Sequence, residues 1–170
     1  MTTHFSHVEV RSAVDLLASR SLIRLITEID DNGAIPPRRM PSTFPDLSSH
    51  QLRRATEAAC AHALVRTASG SGLELTDSGA ELADLYDAAA RWARRHAYPA
   101  PVCDFSSRVR HVLDLLAPSL VAKGADGRMW PWGARASSTE ADLARPRALL
   151  IEWLAGNSQV TRVADPELAA

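Results

Sequence analysis

The chain has 170 residues, 46% of them hydrophobic and 5% aromatic, which suits one domain or one domain with an appended module. A formal net charge of -1 excludes a globally basic nucleic-acid binder, and two cysteines exclude a disulfide framework. No apolar run approaches the roughly 20 residues of a membrane span.

The first periodic segment is Val10–Ile29, apolar at Val14, Leu17, Leu22, Leu25, Ile26 and Ile29, with Leu16 and Ile23 widening the stripe. That spacing predicts a helix. Asp30-Asp31-Asn32-Gly33 ends it, Gly33 suiting a left-handed position after the last turn. The stretch Ile35–Pro45 carries Pro36, Pro37, Pro41 and Pro45, which permit a short helix or turn and forbid a long one. Ser48 then opens a helix running to Leu64, with Gln51 three residues on as its capping-box partner. Leu52, Ala55, Ala59 and Ala63 fall on one face and His50, Arg53, Arg54 and Glu57 on the other. Alanines on the inner face imply close approach of a neighbouring helix. Two β-like runs, Leu64–Thr67 and Leu73–Thr76, flank Ala68-Ser-Gly-Ser-Gly72, a hairpin pattern with a Gly-rich tip. Thr76 or Asp77 caps a helix ending near His96, with Leu82, Leu85, Ala89 and Trp92 inward.

Tyr98-Pro99-Ala100-Pro101 breaks the chain. Beyond it, Phe105–Ala122 has helical period through Val109, Val112, Leu113, Leu116 and Leu120, and Pro118 is expected to kink or shorten it. Gly124–Ala136 reads as a loop containing Met129-Trp130-Pro131-Trp132. A last helix, about Thr139–Ala155, carries Leu143, Leu149, Leu150, Trp153 and Leu154, with Pro146 as an alternative start. Val112-Leu-Asp-Leu-Leu-Ala117 echoes Ala13-Val-Asp-Leu-Leu-Ala18, as a decayed internal copy would. The fold class expected is mainly α with a small β-hairpin wing. It divides into a winged helix–turn–helix domain over 8–97, a Pro-rich linker over 98–104, a helical extension over 105–156 and a loosely ordered tail over 157–170. The extension's apolar stripes need a partner, which assigns it to dimerisation or effector input.

In a helix–turn–helix the second helix of the motif enters the major groove and meets base edges with its N-terminal residues. The base-reading candidates are therefore Ser49, His50, Gln51, Arg53 and Arg54, since Gln pairs bidentately with adenine and Arg with guanine. The phosphate-contacting candidates are Arg38, Arg39, Ser48, Arg66 and the hairpin-tip residues Ser69 and Ser71. Between Pro36 and Arg66, five arginines stand against Asp46 and Glu57, a locally basic stretch. Cys60 and Cys103 are the candidate redox thiols. The plainer reading of Cys60, which lies off the inner face with no clear cation beside it, is a buried or half-buried small apolar residue, and Cys103 is expected to be the more exposed. Trp130 and Trp132 are the candidate effector pocket, or a staple holding their loop onto a helix pair. The six histidines lack zinc spacing, and no nucleophile–base pair can be read, so neither a metal, a cofactor nor an enzyme is expected.

Phe44-Pro-Asp-Leu-Ser48-Ser-His-Gln-Leu-Arg53 resembles the "FPGIS…L…L" stretch of bacterial HxlR-type winged-helix regulators, relatives of the MarR type. Ala63-Leu-Val-Arg-Thr67 with Leu73-Glu-Leu-Thr76-Asp-Ser-Gly79 resembles their "GLV.R…Y.LT..G" wing and exit helix. Trp92-Ala-Arg-Arg-His96 is similar to the end of that helix. The resemblance spans Val8–His96. The chain departs from it in lacking the Cys-containing first segment and basic loop, in the Pro-rich short helix, in Ala63 where the family has Gly, and in a wing without the usual aromatic. What the resemblance implies is a homodimeric transcription factor on double-stranded DNA at a pseudo-palindromic operator. The polar start Met1–Ser6 is not a secretory leader, so the expected location is cytoplasmic, on the nucleoid when bound to DNA. The alternative is a winged-helix module that binds a protein or a small molecule with little or no DNA affinity.

Overall fold

A computed structural model describes residues 6–121 and 136–161 of the chain. Ser6 caps α1 (His7–Leu17) in a closed capping box with Glu9. The apolar period that predicts one helix over Val10–Ile29 belongs to two, because the chain breaks at Ala18 and Ser19 before α2 (Arg20–Asn32). Both helices bury their stripes in one core, so the period runs across the break unaltered.

Gly33 ends α2 at φ +81°, and Ile35 then forms a single antiparallel bridge with Leu73 through two 2.9 Å backbone hydrogen bonds. The proline spacing is resolved as a 3-10 turn, Pro37–Arg39, leading into the one-turn α3 (Met40–Thr43). Phe44 is buried beneath the guanidinium of Arg24, which lies 5.9 Å from the ring centroid. Helix α4 (Ser49–Ala61) packs on α2 through Leu52, Ala55 and Ala59, the small residues allowing close contact. It ends before Leu64 because Ala63 adopts φ +54°, which no helix residue can hold.

Strands β1 (Val65–Ala68) and β2 (Gly72–Leu75) pair antiparallel, Val65 opposite Leu75 and Arg66 opposite Glu74. Gly72 is held at φ +100°, where a Cβ would stand 2.3 Å from the Ile35 carbonyl oxygen, so the bridge from residue 35 requires glycine there. Thr76 caps α5 (Asp77–Arg95), accepting from the Gly79 amide at 3.1 Å and donating to the Ala63 carbonyl at 2.6 Å.

Helix α5 is buried along a wide face because it packs on α2, α6 (Phe105–Val121) and α7 (Ala136–Gly156). The Tyr86 hydroxyl donates to the Leu17 carbonyl at 2.7 Å, and burial pushes its phenol far up, so it stays a neutral donor. Helix α6 also packs on α1, and α8 (Ser158–Thr161) packs on α1 and α7. The stripes of the extension are thus covered within the chain, in one contiguous core with the rest. The two echoing segments lie in α1 and α6, which pack on each other, so both carry the spacing of a helix facing an apolar neighbour. Neither Pro118 nor Pro146 ends its helix. The stretch 98–104 is anchored at both ends: the Tyr98 ring meets Trp92 and His111 edge-on, and Asp104 accepts from the Ser107 amide at the start of α6.

The expectation of a loose tail fails for its first residues. Asn157 is buried, its Nδ2 donates to the Trp153 carbonyl at 2.8 Å, and the Ser78 hydroxyl donates to its Oδ1. The remainder, 162–170, lies outside the described residues, as do Trp130 and Trp132. The architecture is mainly helical with one small antiparallel hairpin, and no described helix is long and apolar enough to cross a membrane.

Candidate nucleic-acid interface

The exposed face of α4 begins from a rigid start. The Gln51 amide donates to Ser48 Oγ at 3.2 Å, and the Ser48 amide donates to Gln51 Oε1 at 2.9 Å. One side chain therefore fixes the first turn and is itself held there. While the box is closed, a bidentate contact of Gln51 to adenine has to share the oxygen that already accepts from Ser48. Asp46 holds the loop ahead of Ser48 against α2, accepting from Arg20 at 3.5 Å and from Arg24 at 3.3 Å.

Ser49, His50, Arg53 and Arg54 are all exposed. Arg53 is loosely engaged, 3.4 Å from His50 Nδ1 and 3.7 Å from Glu57 Oε1. With both Arg53 and Glu57 two-thirds exposed, such a contact is cheap to exchange for another acceptor. Arg54 makes no ion pair among the described residues. His62 at the end of α4 is half-buried, which pushes its pKa down, so it is neutral at pH 7 and adds no charge.

The remaining phosphate-contacting candidates divide. Arg38 and Arg39 are exposed on the 3-10 turn and unpaired among the described residues. Ser69 and Ser71 are exposed at the hairpin tip. Arg66, in contrast, donates across the hairpin to Glu74 at 2.6 Å, so its charge is locally cancelled. The Ile35–Leu73 bridge seats the Arg38–Arg39 turn beside the hairpin. A groove of about 480 Å3 joins the same turn to α4, with Pro37, Met40, Pro41 and Leu47 on one side and Ser49 and Arg53 on the other.

Cys60 is exposed on α4, against the expectation of a buried or half-buried residue, and Cys103 is half-buried, the reverse of the order expected. The helix turns position 60 away from Ala59, which takes the core position. No group of three or more His, Cys, Asp or Glu able to hold a metal occurs among the described residues.

The C-terminal helices add one further support that no local sequence pattern shows. Gln159 Nε2 donates to the His62 carbonyl at 3.3 Å and Trp153 Nε1 to the Ser78 carbonyl at 2.9 Å, so the C-terminal helices hold both the end of α4 and the start of α5. These partners lie 75 to 97 residues apart, beyond any local pattern.

No family model, no curated protein and no solved structure matches the chain.

Proposed function

We propose that the chain is a DNA-binding transcriptional regulator of the winged helix–turn–helix class, resembling the HxlR type. In this reading α2, the Pro37–Thr43 turn and α4 form the reading motif, and the β1–β2 hairpin is its wing. The observation that carries it is the exposed face of α4, where Ser49, His50, Arg53 and Arg54 follow a closed capping box and are free of the core. Donors fixed on a rigid helix start suit insertion into a major groove about 12 Å wide. The bridge at Ile35, which ties the turn to the hairpin, supports the assignment of the wing. Base contacts fall to Ser49, His50, Arg53 and Arg54, and phosphate contacts to Arg38, Arg39, Ser48, Ser69 and Ser71 with Arg66 in reserve. Two copies would meet on a pseudo-palindromic operator.

The test is binding of the full chain to DNA flanking its own gene, followed by fluorescence anisotropy. The double variant Arg53→Ala, Arg54→Ala is expected to lose about 1–3 kcal/mol for each base contact removed, with its melting temperature unchanged. Unaltered affinity in that variant sinks the reading.

A second reading has its own observation. The groove between the 3-10 turn, α3 and α4 is lined largely by Pro37, Met40, Pro41, Phe44, Leu47 and Leu52, and apolar grooves accept protein segments more readily than phosphates. In that case α4 serves a protein-binding module with little DNA affinity.

A further inference from the structure

A strongly charged concavity lies along α2, between the loop holding Asp46 and the start of α6. It measures about 500 Å3, inside the range of roughly 300–1,000 Å3 typical of small-molecule sites. Its lining reads along α2 as Arg20, Arg24, Thr27, Asp30 and Asp31. Arginines therefore stand in the first turns of the helix and aspartates in the last. That is the reverse of what the helix dipole favours, where acids belong at the start and bases at the end. Helix stability does not account for this order.

The two ends also lack adequate partners. Arg20 and Arg24 both donate to Asp46, at 3.5 and 3.3 Å, longer than the roughly 2.7–2.9 Å of a good charge-assisted hydrogen bond, and Asp104 faces Arg20 without a hydrogen bond between them. Arg24 Nε and Thr27 Oγ1 are shielded from solvent and make no hydrogen bond within the described residues. At the other end Asp30 and Asp31 make no ion pair among the described residues, whereas their neighbour Asp87 is held by Arg91 and Asp104 is engaged at the start of α6. Asp30 is an exposed residue, yet partial burial of its carboxyl and then the nearby Asp31, Asp84 and Asp87 push that carboxyl above its usual range. A rise of 1.5 Å per residue puts Arg24 and Asp31 about 10 Å apart along the helix, less the reach of their side chains.

We propose that this crevice binds a small zwitterion whose carboxylate and ammonium are separated by several carbons, the carboxylate on Arg20 and Arg24 and the ammonium beside Asp30 and Asp31. The carboxylate displaces Asp46 from the two arginines. Asp46 stands two residues before Ser48, so its release loosens the loop that sets the start of α4. Any consequence for DNA rests on the function proposed above, whereas binding and loop release do not.

The test uses the full chain without DNA, so it is independent of that function. The probe is 6-aminohexanoate, compared by calorimetry with hexanoate and hexylamine, each of which carries one of the two charges. Saturable binding at least tenfold tighter for 6-aminohexanoate than for either is expected. The variant Asp30→Asn, Asp31→Asn, which relieves like-charge repulsion and should fold, is expected to bind 6-aminohexanoate no better than hexanoate. Amide exchange at Leu47–Gln51 should quicken on binding in the parent. No saturable binding, equal affinity for the three probes, or an unaffected variant overturns the site. Binding without faster exchange overturns the release of Asp46.

Discussion

Ala63 occupies a backbone position that suits glycine, the residue the resemblance places there. Its φ of +54° costs an L-residue roughly 1–2 kcal/mol, while glycine adopts the region freely. Part of the gain is returned, because glycine widens the unfolded ensemble. Ala63→Gly is therefore expected to stabilise the fold by on the order of 0.5–1 kcal/mol, read as a rise in melting temperature, and a fall would contradict the left-handed assignment. Gly79 is the converse case. A Cβ there would stand 2.0 Å from the Leu64 carbonyl oxygen, which belongs to the backbone and cannot swing aside. Gly79→Ala should cost about 2–3 kcal/mol by denaturant titration, in the range of an overpacked core. Both predictions act on one junction. Thr76 ties α5 to Ala63, and Gly79 lets α5 start against the turn that ends α4.

Among the elements, the C-terminal segment is the least expected and the most readily tested. Asn157 is 5% exposed and joins Ser78, Trp153 and Gln159 by its side chain. Asn157→Ala removes the side-chain bonds to Ser78, Trp153 and Gln159, of which only the Trp153 carbonyl keeps another donor from residue 157, its backbone amide. The loss is expected to cost about 0.5–1.5 kcal/mol, and a change smaller than that would return the segment to the status of a loose tail. No local pattern announces this, because a polar residue after Gly156 reads as loop and its partner Ser78 is 79 residues away. The elements that are legible are those written locally: the Ser48–Gln51 box, the Gly-tipped hairpin and the Thr76 cap. An apolar stripe also tells which face is buried, but not against what, so α6 and α7 suggest an outside partner although α5 and α1 cover them. The exposed face of α4 follows the same division. Exposure of His50, Arg53 and Arg54 follows from helical period, but the pairing of Arg66 with Glu74 depends on strand register.

For the whole molecule, a net charge of -1 gives no long-range attraction to a polyanion, so any DNA affinity must come from a few placed arginines. Their number can be read from salt dependence, since each phosphate neutralised on a duplex contributes a slope of about 0.9 in log affinity against log salt. Arg38 and Arg39 are the unpaired phosphate candidates. If the proposed regulator binds its operator as two copies, these arginines would neutralise four phosphates, for an expected slope of about −3.6. Arg66 is two-thirds exposed, and its contact with Glu74 is a surface pair of the kind worth little. Neutralising that partner with Glu74→Gln leaves Arg66 only a neutral acceptor and its charge uncancelled, so Arg66 should reach the DNA backbone, adding one phosphate per copy and steepening the slope to about −5.4. A variant slope equal to the parent's would take the hairpin out of the interface. A parent slope near zero would remove the phosphate contacts altogether and leave the protein-binding reading of the Pro37–Leu52 groove.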